Sequence, residues 1–309
     1  MDTILSFILR HSHPLVQRWI VRFCPQTWLI SVCRRARTQA DLHVAPCVLR
    51  LSSQIAVHYG WGVWPSRAAM QDYAYHHVDP AIVRVPQVYR FFMDYTTGYS
   101  LPDGYLFMEY MPGKTVDKLD AATENNAVSK ALTKRIADIV VHLHGIKVED
   151  GVPPGPLGGG MPFGYLWGEE GTKTVFHSVS EMNSWLNKRL KLIDKSIDLS
   201  PCYPLVLCHG DLVRRNIIVI DDDRDEKATK AEDYKGRQLA LVDWGHAAFL
   251  PRVCDIASMS CYLDKGGYLY TQELQQVTRK AIGGLTEVEE GCYKLLMSAR
   301  ALSLRYTRL

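Results

Sequence analysis

Apolar positions in the first third of the chain come in short alternating blocks. Val48 to Leu51 and Ile55 to Tyr59 are β-rich runs joined by the polar Ser52-Ser53-Gln54, which predicts a hairpin. Ser66 to His77 has helix-compatible composition. Val85 to Phe92 is the next strand, with Pro86 near its start, where an edge tolerates the missing N–H. Tyr105 to Met111 is another, closed by Pro112-Gly113. These elements predict a small β-dominated lobe carrying one helix.

Beyond Gly113 the period changes. Ala131, Leu132, Ile136, Ile139, Val140 and Leu143 recur at helical spacing, so Ala127 to His144 is expected to bury one face of a helix. Val152 to Gly164 is loop. Its Gly158-Gly159-Gly160 lacks a following Lys-Ser or Lys-Thr, so it is no phosphate-cradling P-loop. Glu181 to Asp198 reads as helix. Asp221 to Arg237 is a charged, exposed loop between two strand-like segments, and the remainder is mostly helix-compatible. The expected division is a helical extension at 1–40, an N-lobe at 41–111 and a C-lobe at 112–309.

The first 40 residues hold two apolar stretches, Ile4 to Leu9 and Trp28 to Val32, cut by Arg10, Arg18, Arg22, Arg34 and Arg35. Neither approaches the roughly 18 residues of a membrane helix, so no transmembrane segment is expected. No basic start precedes the first stretch, against a signal peptide. An amphipathic helix leaning on the fold is expected here, ahead of a membrane-surface contact.

Composition narrows the class. The chain is 47% hydrophobic with a net charge of +3, and no block of Lys and Arg dominates, which argues against a nucleic-acid partner. Arg34-Arg35-Ala36-Arg37 is read as a solvated face. The eight cysteines form no CxxC pair and suit reduced, packing roles in a cytoplasmic protein. The terminal Thr307-Arg308-Leu309 is too faint to be a peroxisomal address.

The chemistry concentrates in residues 205–255. The apolar run Leu205 to Cys208 delivers His209-Gly210-Asp211, with Asn216 five residues beyond Asp211; Leu239 to Val242 then delivers Asp243-Trp244-Gly245. Phosphoryl transfer needs a carboxylate to accept the proton of the attacking hydroxyl and oxygen ligands for Mg²⁺. Asp211 suits the first role; the amide oxygen of Asn216 and the carboxylate of Asp243 suit the second. His209 suits anchoring the turn by hydrogen bonds. Taken singly each motif is a capped strand end; together, in this order, they are specific.

The segment resembles the catalytic core of the aminoglycoside phosphotransferase and choline kinase-like family, whose pattern HGDLxxxNIxV with a downstream DWG is matched by His209, Gly210, Asp211, Leu212, Asn216, Ile217, Val219, Asp243, Trp244 and Gly245. Ala247, Pro251 and Asp255 continue the likeness. Val85 to Tyr89, Met108 to Tyr110 and Gly164 to Gly168 are similar to its fungal branch. The resemblance covers roughly residues 45 to 270. It implies an α+β, bilobal, protein-kinase-like fold with a small β-rich N-lobe and a larger, mainly helical C-lobe. It further implies ATP and Mg²⁺ as cofactors, a small-molecule metabolite hydroxyl as acceptor, and Glu109, Tyr110 and Met111 as the hinge that meets the adenine.

Two positions depart from that pattern. His58 stands where the family has the phosphate-contacting Lys, and Arg67 where it has the partner Glu. A His of ordinary pKa is mostly neutral at pH 7 and a poor substitute for that Lys. Arg50, on the preceding strand, is the alternative cation. Two readings therefore stand side by side. One is a phosphotransferase acting on a metabolite in a biosynthetic pathway. The other is a pseudokinase that binds nucleotide or metabolite and works through a protein partner. Phe163, Tyr165 and Trp167 would suit an aromatic or apolar acceptor, whereas Trp61 and Trp64 are expected to pack.

Overall fold

The computed structural model describes residues 2–36, 47–96, 101–123, 126–221, 231–262 and 265–306. The chain opens with three helices, α1 (Asp2–His11), α2 (Pro14–Phe23) and α3 (Gln26–Ala36), rather than the single one expected. Prolines set the breaks. Pro14 sits in the first turn of α2, where its missing N–H costs nothing, and would have interrupted a continuous helix. Pro25 directly precedes α3.

Four antiparallel strands follow in the order β1 (Cys47–Arg50), β2 (Ile55–Gly60), β4 (Asp103–Glu109), β3 (Val88–Asp94). The expected hairpin is β1–β2, with Val48 opposite His58 and Arg50 opposite Ala56. Side chains alternate across a sheet, so each strand presents two surfaces. Leu49, Leu51, Val57, Tyr59, Tyr105 and Phe107 pack under Leu9, Ile20, Val21, Leu29 and Val32 of the three helices. Ala56, Leu106 and Met108 pack on the other side with Ala68 of α4 (Pro65–His77). That double cover explains why every residue of β2 is buried. Ser52 fastens the hairpin to α2: its hydroxyl donates to Gln17 Oε1 at 2.5 Å and accepts from the N–H groups of Gln54 and Ile55.

The rest is mainly helical, with α5 (Val116–Ala121), α6 (Ala127–Gly145), α7 (Val179–Leu190), α8 (Arg252–Ser258), α9 (Lys265–Ala281) and α10 (Glu287–Arg305). The apolar face expected on α6 is buried along Leu132, Ile136, Ile139, Val140 and Leu143. Two small antiparallel sheets lie among these helices. One pairs β5 (Gly113–Thr115), β7 (Ile217–Ile220) and β8 (Leu239–Leu241); the other pairs β6 (Leu205–Cys208) with β9 (Ala248–Pro251).

Several elements differ from expectation. The helix expected over Glu181 to Asp198 stops at Leu190, passes through one 3-10 turn and ends at Asp194 in the left-handed region (φ +51°), which Asp tolerates. Strand β3 starts at Val88 because Pro86 has no N–H to pair; Arg84 instead bridges to Ala240. Within Asp221 to Arg237, residues 222–230 lie outside the described set, and Ala231–Tyr234 is a 3-10 turn. Arg37 and Thr307-Arg308-Leu309 also lie outside it. Trp167, expected near the acceptor, is 3% exposed and packs edge-on against Phe176 and Trp185. Trp61 and Trp64, expected to pack, are instead 54% and 37% exposed.

Candidate active site

Strand β6 ends at Cys208, and the turn after it is fixed from three directions. His209 is fully buried; its Nε2 donates to Val242 O (3.1 Å), its Nδ1 accepts from Asp211 N–H (3.3 Å), and its ring meets Trp244 edge-on. Burial depresses its pKa, so the neutral ring is the form that makes these bonds. Gly210 has φ +75°, and a β-carbon there would come within 2.7 Å of His246 O, so this position needs glycine. The Gly210 N–H donates to Asp255 Oδ1 (3.0 Å), while Asp255 Oδ2 meets His144 Nε2 (3.0 Å). His144 and Asp255 form, with Cys208, the one grouping of metal-ligand types among the described residues. Both carboxylate oxygens are taken and burial raises the Cys208 thiol pKa well above normal, so this grouping is a latch beneath the turn.

The turn presents Asp211, 3% exposed. Asn216 Nδ2 donates to both its backbone oxygen and its Oδ2 (2.9 Å each). Arg215 reaches Oδ2 at 3.3 Å, and the Tyr262 hydroxyl donates to Oδ1. Burial and the negative charge of Asp211 both raise the Tyr262 pKa, so the phenol stays protonated as donor. The His246 Nδ1 lies 4.0 Å from Asp211 Oδ2. Around it gather the rings of Phe163 (5.6 Å) and Tyr165 (5.3 Å), and Tyr165 also packs on Tyr262 (5.2 Å). The aromatic loop expected from sequence thus brings Phe163 and Tyr165, but not Trp167, against His246, the neighbour of Asp211.

Asp243 follows β8 in the left-handed region (φ +65°, ψ +67°). Arg67 of α4 reaches it, with Nη1 2.5 Å from Asp243 Oδ1 and 3.1 Å from His58 Nδ1. A guanidinium only donates, so His58 Nδ1 accepts and its proton sits on Nε2. Burial and the neighbouring Arg67 lower the His58 pKa to about 4, which makes it a neutral member of the site. Burial alone would raise the Asp243 pKa, but Arg67 together with His58, His246 and His209 outweighs it and the carboxyl is held at about 2. The departures at 58 and 67 are therefore one arrangement: a neutral ring and a fixed cation converge on one carboxylate.

The residues expected as a hinge lie at and just beyond the end of β4. Glu109 accepts from Arg84 Nη2 (2.5 Å) and from Gln87 N–H (3.3 Å), so its side chain is committed to the fold. Tyr110 N–H donates to Gln54 O (2.9 Å), and Met111 is buried with Ile220 and Ala240. Arg50 lies on the same sheet surface as His58 but stacks over the Tyr110 ring, 4.2 Å from its centroid, and donates to Ser52 O. It is not brought to Asp243, where Arg67 stands.

The oxygen donors of Asn216 and Asp243 have the chemistry Mg²⁺ prefers. As arranged, however, Asp243 Oδ1 is held by a guanidinium, and a divalent cation there would displace Arg67 or meet it as a like charge. The residues do not fit a resident Mg²⁺ in this arrangement.

One carboxylate, Asp211, thus stands on a clamped turn after β6, and a second, Asp243, follows β8. The chain belongs to the Phosphotransferase enzyme family, whose sequence model matches residues 9–281, and it combines a small antiparallel sheet region with a mainly helical C-terminal one, as expected. The match begins inside α1, further upstream than the motifs alone indicate. No curated protein matches the sequence. Among solved structures the chain is similar to the GDP complex of an aminoglycoside 2'-phosphotransferase-IIIa, at 14% identity over 84% of this chain and 82% of that one, with a TM-score of 0.48. It is also similar to a spectinomycin phosphotransferase in complex with ADP and spectinomycin (13% identity, 82% and 75% covered, TM-score 0.44). A third is the macrolide 2'-phosphotransferase MphH from Brachybacterium faecium (14%, 90% and 91%, TM-score 0.42).

Sequence reasoning missed Tyr262, Arg215 and His246 beside Asp211. Arg215 and His246 flank recognisable motifs, and their place next to Asn216 and Gly245 was an available signal. Tyr262 lies 51 residues from Asp211, in no pattern that spacing would reveal.

Proposed function

We propose that the chain transfers a phosphoryl group from ATP to a hydroxyl of a small, neutral, aromatic or apolar metabolite. The carrying observation is Asp211: buried, oriented by Asn216 and Tyr262, and neighboured by His246, whose ring packs with Phe163 and Tyr165. Asp211 accepts the proton of the acceptor hydroxyl as its oxygen bonds to the γ-phosphorus of ATP and the bond from that phosphorus to the β,γ-bridging oxygen breaks, releasing ADP. His209 holds the turn that aims it. Backbone groups of Glu109 to Met111 meet the adenine. The aromatic border offers faces for stacking, and Arg215 beside Asp211 disfavours a polycationic acceptor. The Mg²⁺ expected from sequence would enter only by displacing Arg67.

The Arg67–Asp243 ion pair favours a second reading, in which the chain binds nucleotide or a metabolite without turnover. ATP consumption measured against a panel of hydroxylated aromatic and aliphatic metabolites, on the wild type and Asp211→Asn, separates the two. Acceptor-dependent ADP release that Asp211→Asn abolishes supports transfer. Nucleotide binding with no acceptor-dependent release supports the second reading.

A further inference from the structure

The cation beside Asp243 comes from the chain itself. Arg67 projects from the first turns of α4, the helix packed on the cleft surface of the sheet, and its side chain is 12% exposed. Its Nη1 group is used on Asp243 and His58, whereas its Nε, also buried, has no hydrogen-bond partner among the described residues. The site is shaped for this group. A β-carbon on Gly245 would overlap Nη2 and Cζ of Arg67, so the glycine of the DWG turn leaves room for the guanidinium.

His58 completes the fit. A lysine there would put a second cation against Nη1, while an imidazole accepting through Nδ1 is compatible with it. His58 of β2 and Arg67 of α4, the two departures from the family pattern, thus agree on one occupant, and Gly245 of the DWG turn leaves it room.

We propose that Arg67 takes the place of the divalent cation in this site, so that Asp243 carries no metal and the chain binds the phosphates of a nucleotide without one. This rests on the nucleotide-binding part of the proposed function, which both readings share. Arginine suits such a role because its charge is permanent and its fork keeps N–H donors for phosphate oxygens after Nη1 is engaged.

The test uses the full chain in two titrations. First, Mn²⁺ alone is added as a paramagnetic probe and its binding read by water-proton relaxation, on the wild type and Arg67→Glu. The wild type is expected to bind none at this site. Arg67→Glu, with two carboxylates and no guanidinium, gains binding that a further Asp243→Asn removes. Second, ADP is titrated with EDTA or with Mg²⁺. The wild type is expected to bind equally in both, and Arg67→Glu to bind only with Mg²⁺. Wild-type Mn²⁺ binding that Asp243→Asn abolishes overturns the proposal. So does ADP binding that requires Mg²⁺, which leaves the phosphotransferase reading standing. Failure to bind ADP in either condition overturns the nucleotide reading and its ligand here, while the Mn²⁺ titration still decides the occupant of Asp243.

Discussion

Tyr262 donates its hydroxyl hydrogen to Oδ1 of Asp211, the oxygen that Asn216 and Arg215 leave alone. Both partners are buried, and the acceptor is a carboxylate. Hydrogen bonds to charged groups contribute about 1.5–3 kcal/mol each. Tyr262→Phe should therefore lower stability by about that amount. Urea unfolding is the check: the midpoint falls while the slope is unchanged, because no additional surface is exposed.

Asp255 connects the His209-Gly210-Asp211 turn to α6. Replacing it with Ala removes the acceptor of the Gly210 N–H and of His144 Nε2 together. Each buried donor left unmatched costs about 1–3 kcal/mol, so Asp255→Ala should be among the most damaging substitutions outside the apolar core. Asp255→Asn, which keeps one carbonyl acceptor, should lose distinctly less. Equal losses for the two, measured by thermal unfolding, would remove the latch role.

The three N-terminal helices behave as part of the core. Leu29 of α3 is wholly buried, in the cluster that contains Val57, Tyr105 and Phe107. Leu29→Ala should cost about 2–5 kcal/mol, as for other buried leucines, whereas a loosely attached extension would register little. Chemical denaturation resolves a difference of that size.

Most of the site's carboxylates were legible because local chemistry dictates them: an apolar strand, a glycine-permitted turn, and Asn five residues beyond Asp211. The strands of the first sheet were legible through alternation. What faced the carboxylates was not. Arg67 and Asp243 are 176 residues apart, and the sequence marks only that a Glu is missing, not that its replacement reverses the partner's role. The three-residue β5 escaped notice because Gly113-Lys114-Thr115 is too short to show a period; β7 pairing defines it. The single helix expected at the start failed on two prolines whose effect is local and was readable.

Acid should weaken the contact between α8 and α10. Glu289 caps α10 with Thr286 and takes a two-pronged contact from Arg252 of α8, at 2.6 and 2.8 Å. The Arg252 hydrogen bonds depress its pKa below the ordinary 4.5, outweighing burial. A carboxyl with a lowered folded-state pKa contributes stability above its unfolded value, and that contribution fades as pH falls through the folded one. Wild-type stability should therefore drop below pH 4.5 more steeply than that of Glu289→Gln, which has lost the charge already. Parallel pH profiles for the two proteins would contradict this.

Gly245 offers a way to move Arg67 without touching it. The backbone there is not in the left-handed region, so alanine is conformationally acceptable. Its β-carbon would nonetheless overlap the guanidinium, and at 2.7 Å from Nε even the near end is crowded. The arginine tip is the flexible partner, so it should yield rather than the turn. Gly245→Ala is then expected to fold normally, release Asp243 and gain Mn²⁺ binding that the wild type lacks, visible as enhanced water-proton relaxation. Adding Asp243→Asn should cancel the gain. A Gly245→Ala protein that folds but takes up no Mn²⁺ would mean that the guanidinium is not what keeps metal from this carboxylate.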